Sequence, residues 1–281
     1  MLLRYHEELL KFYESNEAFL QQTYPGLSFH RLTDDFQRYS NLFSDDFVLD
    51  KRSINRFIEQ VKEGMPLEHI SKTAYFYEHE FYVDSRVLIP RSETEILVEK
   101  SLEHIKRNDF RQILDLGTGS GCIPLSIAAA LDQHMMITGV DLSIEALDVA
   151  KINHNRLQHH ISKTIELSWV QGDFLNQSFG QFDMIVSNPP YIPGDDQVHS
   201  QVKKYEPEIA LYIDREFKDY FSLLFQRAGE QLRKGGLFLM EGHEDHLHLL
   251  VEVMQSHGFI NIEIIHDYTQ RNRFIQGEYN G

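Results

Sequence analysis

The sequence predicts an α/β protein in which helices flank a twisted, mostly parallel sheet. From Arg111 onward, short apolar segments of the strand type alternate with segments of helical periodicity. The first of these segments runs into a glycine-rich turn, "GTGSG" at 117–121, which opens an apolar helical segment. This alternation is typical of parallel sheets with helices on both faces. With 281 residues, the chain can hold this sheet and a smaller second domain.

Residues 1–72 have the pattern of a small helical domain. In "SINRFIEQVKEG", apolar side chains recur at helical spacing, Ser53 stands at the position of a helix cap, and Gly64 stands where a helix would end. Two acidic pairs, in "TDDF" at 33–36 and "SDDF" at 44–47, are expected to cap helices or to face water. This part of the chain carries no recognisable functional motif.

A hairpin and then a larger domain are predicted after the helical part. Residues 73–89 are rich in aromatic and β-branched types with partial alternation, which predicts a strand pair that links two domains. At 92–95, "SETE" matches a capping box, in which Ser92 would accept a backbone N–H and Glu95 would reach back. We therefore expect the domain of residues 90–281 to open with a helix at this point.

The composition argues against several classes of protein. The chain has 27 basic and 43 acidic residues and a net charge of −16, which disfavours nucleic acid as a partner because phosphate binding needs a surplus of Lys and Arg. The single cysteine, Cys122, excludes an internal disulfide. No apolar run approaches the roughly 20 residues that span a bilayer, and the first residues lack the apolar core of a signal peptide. These features predict a soluble, cytoplasmic protein without a membrane partner.

The glycine-rich turn and an acid on the next strand indicate a nucleoside site. The turn consists of Gly117, Thr118, Gly119, Ser120 and Gly121. Its glycines allow the backbone to approach a ligand closely at the start of a helix. The next strand-type segment ends at Asp141, where a carboxylate can accept both hydroxyls of a ribose. The spacing is GxGxG, not the GxGxxG of dinucleotide folds, which favours a nucleoside without a pyrophosphate. A purely structural turn is the alternative for the glycines alone.

Two further strand-type segments end in residues that suit the same ligand. "IELSWVQGDF" ends at Asp173 and Phe174, which could bond an adenine edge and cover its face. "FDMIVSNPPY" has Asn188 at the end of its apolar run. Ligands of open α/β sheets lie beyond the carboxyl ends of the strands, so these residues should converge on one crevice. An ordinary core aromatic is the alternative for Phe174, and a turn cap is the alternative for Asp173.

The segment "NPPY" indicates an amide-binding loop. Pro189 and Pro190 fix φ and remove two backbone donors, so the carbonyls around them are held in a rigid turn. The Asn188 side-chain oxygen and the Pro189 carbonyl could accept both hydrogens of a planar NH₂ group, with Tyr191 packed on its plane. The alternative is a proline turn that ends an edge strand.

Together these motifs resemble a known family. "DLGTGSG", "GVDLS" and "NPPY" resemble the class I S-adenosylmethionine-dependent methyltransferases that modify planar nitrogens, whose fold is a Rossmann-like twisted sheet. More narrowly, "PLEHI" at 66–70, "VLIPRSETEILVE" at 87–99, "VKKYEPEIAL" at 202–211 and "DYTQRNRF" at 267–274 look like the protein-(glutamine-N5) methyltransferases of the PrmC/HemK type. Ser92 departs from the proline usual in that family, and "LMEGHEDH" at 239–246 follows its pattern only loosely.

The resemblance implies a methyltransferase with S-adenosylmethionine as cofactor and peptide chain release factors as protein substrates. The modified group would be the glutamine of the GGQ motif, bound by Asn188, Pro189, Pro190 and Tyr191. The cofactor would be bound by the glycine-rich turn with Asp141, Asp173, Phe174 and Asn188. The helical domain and hairpin are expected to dock the release factor, because the crevice alone offers too small a footprint for protein recognition.

Two alternatives for the function stay open. Adenine-N6 and guanine-N2 nucleic-acid methyltransferases share "NPPY", and a non-catalytic scaffold could keep the cofactor fold. No metal is expected, because "HEDHLH" at 243–248 is one residue short of H-E-x-x-H and favours a solvated helix face. Cys122 is expected to be a small packing residue.

Overall fold

The protein is described by a computed structural model that covers residues 2–42, 51–194 and 200–281. Its first part is helical and is followed by a short hairpin. The helices are α1 (Leu2–Ser15), α2 (Glu17–Thr23), α3 (Phe29–Asn41), α4 (Lys51–Lys62) and α5 (Leu67–Ser71). The antiparallel hairpin consists of β1 (Ala74–Phe76) and β2 (His79–Phe81), inside the segment for which a strand pair was predicted.

The remaining elements form the α/β part of the molecule. Its helices are α6 (Glu95–Asn108), α7 (Cys122–Ala129), α8 (Ile144–Leu157), α9 (Ser200–Tyr205), α10 (Phe217–Gln231) and α11 (Leu247–Ser256), with a 3₁₀ turn at Glu208–Ala210. Its strands are β3 (Gln112–Leu116), β4 (Met135–Asp141), β5 (Ile165–Gln171), β6 (Phe182–Ser187), β7 (Leu232–Glu241), β8 (Phe259–His266) and β9 (Asn272–Tyr279).

These strands form one seven-stranded sheet in the order β5-β4-β3-β6-β7-β9-β8. The first five are parallel, and β9 pairs antiparallel with both β7 and β8. Successive residues of β3 face opposite sides: Ile113 packs with α6 and α7, and Leu114 packs with α10 and α11. Helices therefore cover both faces of the sheet, which confirms the predicted fold class.

The helical part has a hydrophobic core of its own. Leu9, Leu20, Leu32 and Phe57 belong to a buried cluster that is distinct from the clusters on the two faces of the sheet. Hydrogen bonds join this part to α9: the Gln201 amide donates to the Gly64 carbonyl at 2.7 Å, and the Tyr205 hydroxyl donates to the Glu63 carbonyl at 2.9 Å. The predicted domain boundaries, 1–72, 73–89 and 90–281, stay predictions.

Two expectations for the helical part were wrong. Helix α4 begins at Lys51, so Ser53 lies inside it and does not cap it, although the helix ends before Gly64 as expected. Asp35 of "TDDF" is buried inside α3, where its carboxylate accepts a hydrogen bond from Arg31 Nε at 3.0 Å. The helix is capped instead by Ser28, whose hydroxyl accepts the Arg31 N–H. "SDDF" at 44–47 lies outside the described residues.

A tryptophan on β5 packs directly behind the glycine-rich turn. A Cβ atom on Gly121, whose φ is +77°, would lie 2.9 Å from Trp169 Cη2, and one on Gly139 of β4 would lie 2.6 Å from Trp169 Cζ3. Both separations are too short for carbon atoms, so the indole occupies space that only glycine leaves free. Gly121 therefore serves the packing of α7 against the sheet, where it stands immediately before the helix.

Candidate active site

A cavity of about 320 Å³ lies beyond the carboxyl ends of the central strands. Its walls include most of the residues predicted to bind the cofactor. These are Gly117, Thr118, Gly119, Ser120, Asp141, Asp173, Phe174 and Asn188, together with Pro190 of the proline loop. Gly121 does not line it, because it lies behind the turn against Trp169. The sheet topology thus brings together side chains from four strand ends, as expected for an open α/β sheet.

A second cavity, of about 240 Å³, adjoins the first on the side of the proline loop. Pro189 and Tyr191 line this smaller cavity and not the larger one. Asn188 lines both, as do Leu88 and Arg91 from the segment before α6. Most predicted cofactor-binding residues therefore line one cavity, Pro189 and Tyr191 line a neighbouring one, and the two cavities meet at Asn188.

The Asp141 carboxylate fixes the glycine-rich turn. One of its oxygens accepts the Gly119 N–H at 2.8 Å, and the other accepts the Ser143 N–H at 2.9 Å. Burial raises the pKa of Asp141, although these backbone hydrogen bonds oppose the shift. Each carboxylate oxygen can accept a second hydrogen bond. Asp141 can therefore hold the turn and still accept hydroxyls from a ligand in the larger cavity.

Asp173 and Phe174 make structural contacts and also line the larger cavity. The Asp173 carboxylate accepts the Leu175 N–H at 3.0 Å and an amide N–H of Asn176 at 2.6 Å, so it closes the turn that follows β5. Phe174 belongs to the buried cluster that packs under α10. Both residues also line the larger cavity, so the structural and the ligand-binding interpretations are compatible.

Two buried polar groups near this cavity were missed by the sequence analysis. Asp115 of β3 is fully buried, and neither of its carboxylate oxygens has a hydrogen-bond partner among the described residues. Burial raises the pKa of Asp115 to about 7. The hydroxyl of Tyr220, on α10, is likewise buried without a partner in the described part of the chain, and Tyr220 lines the cavity. Unpartnered buried groups are costly, so both indicate donors or acceptors supplied by a ligand or water.

The sequence signals for these two residues differ in strength. Asp115 stands inside the quoted motif "DLGTGSG", but only the glycines of that motif were singled out. Tyr220 lies in an ordinary amphipathic helix, and nothing in its local sequence indicates that it reaches the cavity. Its position depends on how α10 packs on the sheet.

A chain of hydrogen bonds lies behind the proline loop. The Asn188 amide nitrogen donates to Thr94 Oγ1 at 3.2 Å, and the Thr94 hydroxyl donates to Glu241 Oε2 at 2.6 Å. The Tyr191 hydroxyl donates to the other Glu241 oxygen at 3.4 Å. Glu241, the last residue of β7, is buried, and burial raises its pKa. Thr94 and Glu241 were not predicted as site residues, because 147 positions separate them in the chain.

The predicted capping box at 92–95 is wrong. Helix α6 begins at Glu95, and its cap residue Thr94 makes no capping hydrogen bond with its side chain. The Thr94 hydroxyl bonds Glu241 instead, and the Glu95 carboxylate accepts the Tyr77 N–H of the hairpin at 2.9 Å. The side chains of Thr94 and Glu95 therefore bond groups that are distant in the chain and not the nearby backbone N–H groups that the motif predicts.

A buried ion pair joins the two segments that border both cavities. One Glu206 oxygen accepts from Arg91 Nη2 at 2.6 Å, and the other accepts the Ile89 N–H at 2.9 Å. Glu206 is 6% exposed, so this pair is shielded from solvent on the carboxylate side. Ile89 and Arg91 come from "VLIPR" and Glu206 from "YEP", so the ion pair explains how these distant motifs border one site.

The remaining candidates do not form a further site. Across residues 2–42, 51–194 and 200–281, no group of at least three His, Cys, Asp or Glu side chains could hold a metal ion. Helix α11 begins at Leu247, so most of "HEDHLH" is a turn and not the solvated helix face that was expected. Burial raises the pKa of the Cys122 thiol to about 12. In the same ranges, no helix is long and apolar enough to cross a membrane.

The fold and the cavities define a class I S-adenosylmethionine-dependent methyltransferase. A family model described as "Methyltransferase small domain" matches residues 93–205. The chain is 31% identical to the release factor glutamine methyltransferase of Clostridium acetobutylicum, over 97% of this chain and 98% of that protein. It is 37% identical to the one of Chlorobaculum tepidum, over 75% of this chain and 74% of the relative. The chain belongs to the release factor glutamine methyltransferase family.

A solved structure supports the same fold. The 16S rRNA N2 G1207 methyltransferase of T. thermophilus, in complex with AdoMet and guanosine, superposes with a TM-score of 0.51. It shares 16% sequence identity, and the match covers 74% of this chain and 50% of that one. This structure supports the class I methyltransferase fold, and the two relatives confirm the resemblance to the glutamine-modifying family.

The methyl donor of this family is S-adenosylmethionine, and the larger cavity fits it chemically. The cofactor carries ribose hydroxyls, an ammonium group and an adenine ring. The cavity offers the Asp141 and Asp173 carboxylates and apolar surface from Leu142 and Phe174. Acidic acceptors and an apolar slot are the groups that such a ligand requires.

Proposed function

We propose that the protein transfers a methyl group from S-adenosylmethionine to the side-chain amide nitrogen of the glutamine in the GGQ motif of peptide chain release factors. The observation that supports this most is the pair of cavities that meet at Asn188. The larger one is lined by residues predicted to bind the cofactor, and the smaller one, of about 240 Å³, lies beside Pro189 and Tyr191 of the proline loop. The names of the relatives agree with this substrate.

In this proposal the cofactor is held mainly by the carboxyl ends of the strands. Asp141 would accept the ribose hydroxyls, and the glycine-rich turn would let the backbone approach the cofactor. Asp173 would accept from the adenine amino group, and Phe174 would pack on the ring. The bound cofactor supplies an activated methyl group on a sulfonium.

The proline loop would bind the acceptor amide. The Asn188 side-chain oxygen and the Pro189 carbonyl each accept one hydrogen of the amide, while Pro190 keeps the loop rigid and Tyr191 packs on the amide plane. An amide nitrogen is a poor nucleophile because its lone pair is delocalised. Fixed acceptors favour the geometry in which the nitrogen becomes pyramidal and its lone pair points at the methyl group, which is catalysis by orientation and fixed dipoles.

No strong base is needed before the transfer. Methylation leaves the nitrogen strongly acidic, and its extra proton can pass to water or to a nearby carbonyl. The buried Glu241 is engaged by the hydroxyls of Thr94 and Tyr191, so it does not face the acceptor as a free base. The chemistry proposed for this chain therefore depends on position more than on proton abstraction.

The substrate is tested directly with isotopically labelled S-adenosylmethionine. The protein is incubated with release factors, with release factors whose GGQ glutamine is replaced by alanine, and with DNA or RNA, and the methyl group is located by mass spectrometry. We expect label on the GGQ glutamine alone. Label on nucleic acid, or label that persists in the alanine-substituted release factor, would contradict the proposal.

We propose further that the helical part docks the release factor in the cytoplasm, during the events of translation termination. A groove of about 630 Å³ runs between this part and the α/β part, bordered by Pro25, Arg31 and Glu68 on one side and by Ser92 and Glu206 on the other. A folded partner needs a footprint of roughly 800 Å² on each side, far more than the acceptor cavity offers. The groove extends the available surface next to the site.

The docking proposal is tested by filling this groove. Ser92 is exposed, and its hydroxyl bonds only the neighbouring Glu93 carboxylate among the described residues, so Ser92→Trp adds bulk without removing a structural contact. We expect KM for intact release factor to rise about tenfold, by roughly 1.4 kcal/mol of lost binding, with KM for a short GGQ peptide unchanged. Equal changes for both substrates would count against docking in the groove.

A further inference from the structure

We propose that Thr94 and Glu241 are positioning residues that determine which end of the Asn188 amide faces the acceptor cavity. This inference rests on the proposed function, in which the Asn188 oxygen receives an N–H of the acceptor. An asparagine side chain presents an acceptor oxygen on one side and a donor NH₂ on the other, and rotation by a half turn exchanges them. Only one of the two orientations can bind a donating amide.

The direction of the hydrogen bonds selects that orientation. The Glu241 carboxylate receives hydroxyls on both of its oxygens, from Thr94 at 2.6 Å and from Tyr191 at 3.4 Å, so it is the accepting end of the chain. A threonine hydroxyl has a single proton, and Thr94 gives that proton to Glu241. What Thr94 has left for Asn188 is a lone pair, which can only accept.

The consequence for Asn188 follows from this arrangement. Its NH₂ group must face Thr94, at the observed 3.2 Å, and its oxygen must therefore face away from Thr94. The reversed orientation would place two acceptors, the Asn188 and Thr94 oxygens, against each other. It would also turn the NH₂ group toward the hydrogens of the acceptor amide. Thr94 and Glu241 thus act through Asn188 and need not touch the substrate.

The burial of these groups makes the selection effective. Thr94 is 2% exposed and Glu241 is 2% exposed, so water does not compete freely for their hydrogen bonds. Arg273, on β9, lies close enough to Glu241 to offset its charge. The accepting end of the chain is therefore held in place by the sheet itself, at the point where β7 ends.

The inference is tested by removing and restoring the Thr94 hydroxyl. Thr94→Val keeps the shape of the side chain but can neither donate to Glu241 nor accept from Asn188, and Thr94→Ser keeps the hydroxyl. At saturating S-adenosylmethionine, needed because Thr94 also lines the larger cavity, we expect Thr94→Val to lower kcat with release factor on the order of 10- to 100-fold and Thr94→Ser to retain most of the rate. Thr94→Ala provides the same comparison if valine destabilises the protein.

A matched control and a double-mutant cycle separate positioning from simple loss of stability. Ser101→Ala removes another buried hydroxyl from α6, one without a partner among the described residues, and should leave kcat unchanged. If Thr94 acts through Asn188, then Thr94→Val should cost almost nothing further in an Asn188→Ala background. Glu241→Gln should lower kcat in the same way, because a glutamine can donate to Thr94 and reverse the chain.

The outcomes distinguish this inference from the proposed function. If the unaltered protein places no label on the GGQ glutamine, the proposed function fails. If the unaltered protein is active and Thr94→Val transfers methyl groups at the parent rate, the positioning role is wrong. It is equally wrong if the cost of Thr94→Val is the same with and without Asn188, because the hydroxyl would then act independently of that amide.

Discussion

The two cavities that meet at Asn188 are built in different ways. The floor of the larger one is backbone from neighbouring strands: the Gly117 and Thr118 N–H groups both bond the Val140 carbonyl, and Asp141 bonds the Gly119 N–H. The proline loop is held by side chains from distant segments: Thr94, which lines the larger cavity, and Tyr191, which lines the smaller one, both donate to Glu241. The comparison teaches that strand pairing fixes the cofactor side, whereas single hydroxyl and carboxylate groups fix the acceptor side. Substitutions should therefore have distinct signatures on the two sides.

The largest effect is expected at the junction of the two cavities. Asn188→Ala removes the oxygen proposed to orient the acceptor amide, and kcat should fall about 10²- to 10³-fold, as for the loss of one fixed catalytic dipole. The affinity for S-adenosylmethionine should change little, because the backbone floor is intact. Single-turnover methyl transfer and calorimetry measure the two quantities. If a folded Asn188→Ala variant transfers methyl groups at the parent rate, the proline loop is only a structural turn and does not orient the acceptor amide.

The next largest effect tests the cofactor side. Asp141→Ala removes the proposed ribose acceptor and weakens the bonds that hold the turn, so S-adenosylmethionine affinity should fall by about 1.5–3 kcal/mol, or roughly 10- to 150-fold. Asp141→Asn keeps one accepting oxygen, so its affinity for S-adenosylmethionine should fall by less. Calorimetric titration provides the measurement. An unchanged affinity in folded Asp141→Ala would show that the strand end does not bind the ribose.

A pH dependence is expected from the buried Asp115. Its pKa is raised from 3.8 to about 7 in the folded protein, so between pH 4 and pH 7 the folded state keeps a proton that the unfolded state has lost. Stability of the ligand-free protein should therefore decrease as pH rises through this window and level off above it. Asp115→Asn should remove this dependence of the unfolding free energy on pH, as measured by chemical denaturation. If the dependence is unchanged in the variant, other groups cause it.

Local patterns predicted which strand ends border the larger cavity. The four strands β3 to β6 were found from apolar runs, and the residues after them converge because parallel strands share one edge. The hydrogen bonds behind the proline loop escaped prediction because their partners are far apart in sequence: Thr94 bonds Glu241, and Glu95 bonds the Tyr77 N–H instead of closing a capping box. Asp35 was misjudged for a local reason: Arg31, one turn earlier on α3, donates to its carboxylate and allows that carboxylate to be buried. The spacing of residue types in a sequence shows which residues share a helix or strand. It does not show which partner a polar side chain will bond in the folded protein.

The smallest effect concerns a hydroxyl that no sequence motif indicated. Tyr220→Phe removes a buried hydroxyl without a partner among the described residues, so the stability of the ligand-free protein should stay the same or increase slightly. If this hydroxyl bonds the cofactor, S-adenosylmethionine affinity should fall by about 1 kcal/mol. Thermal unfolding with and without cofactor measures both quantities. If Tyr220→Phe binds S-adenosylmethionine as tightly as the parent protein, the Tyr220 hydroxyl bonds water and not the cofactor.

The tryptophan behind the glycine-rich turn gives the protein a natural optical probe. Trp169 is the only tryptophan in the chain, its indole lies against Gly121 and Gly139, and its N–H points to His154 Nδ1 at 3.3 Å. Selective excitation of tryptophan therefore reports fluorescence from a single place, directly beneath the larger cavity. Small movements of the turn alter the surroundings of that one emitter, and no extrinsic dye needs to be attached to follow them in real time.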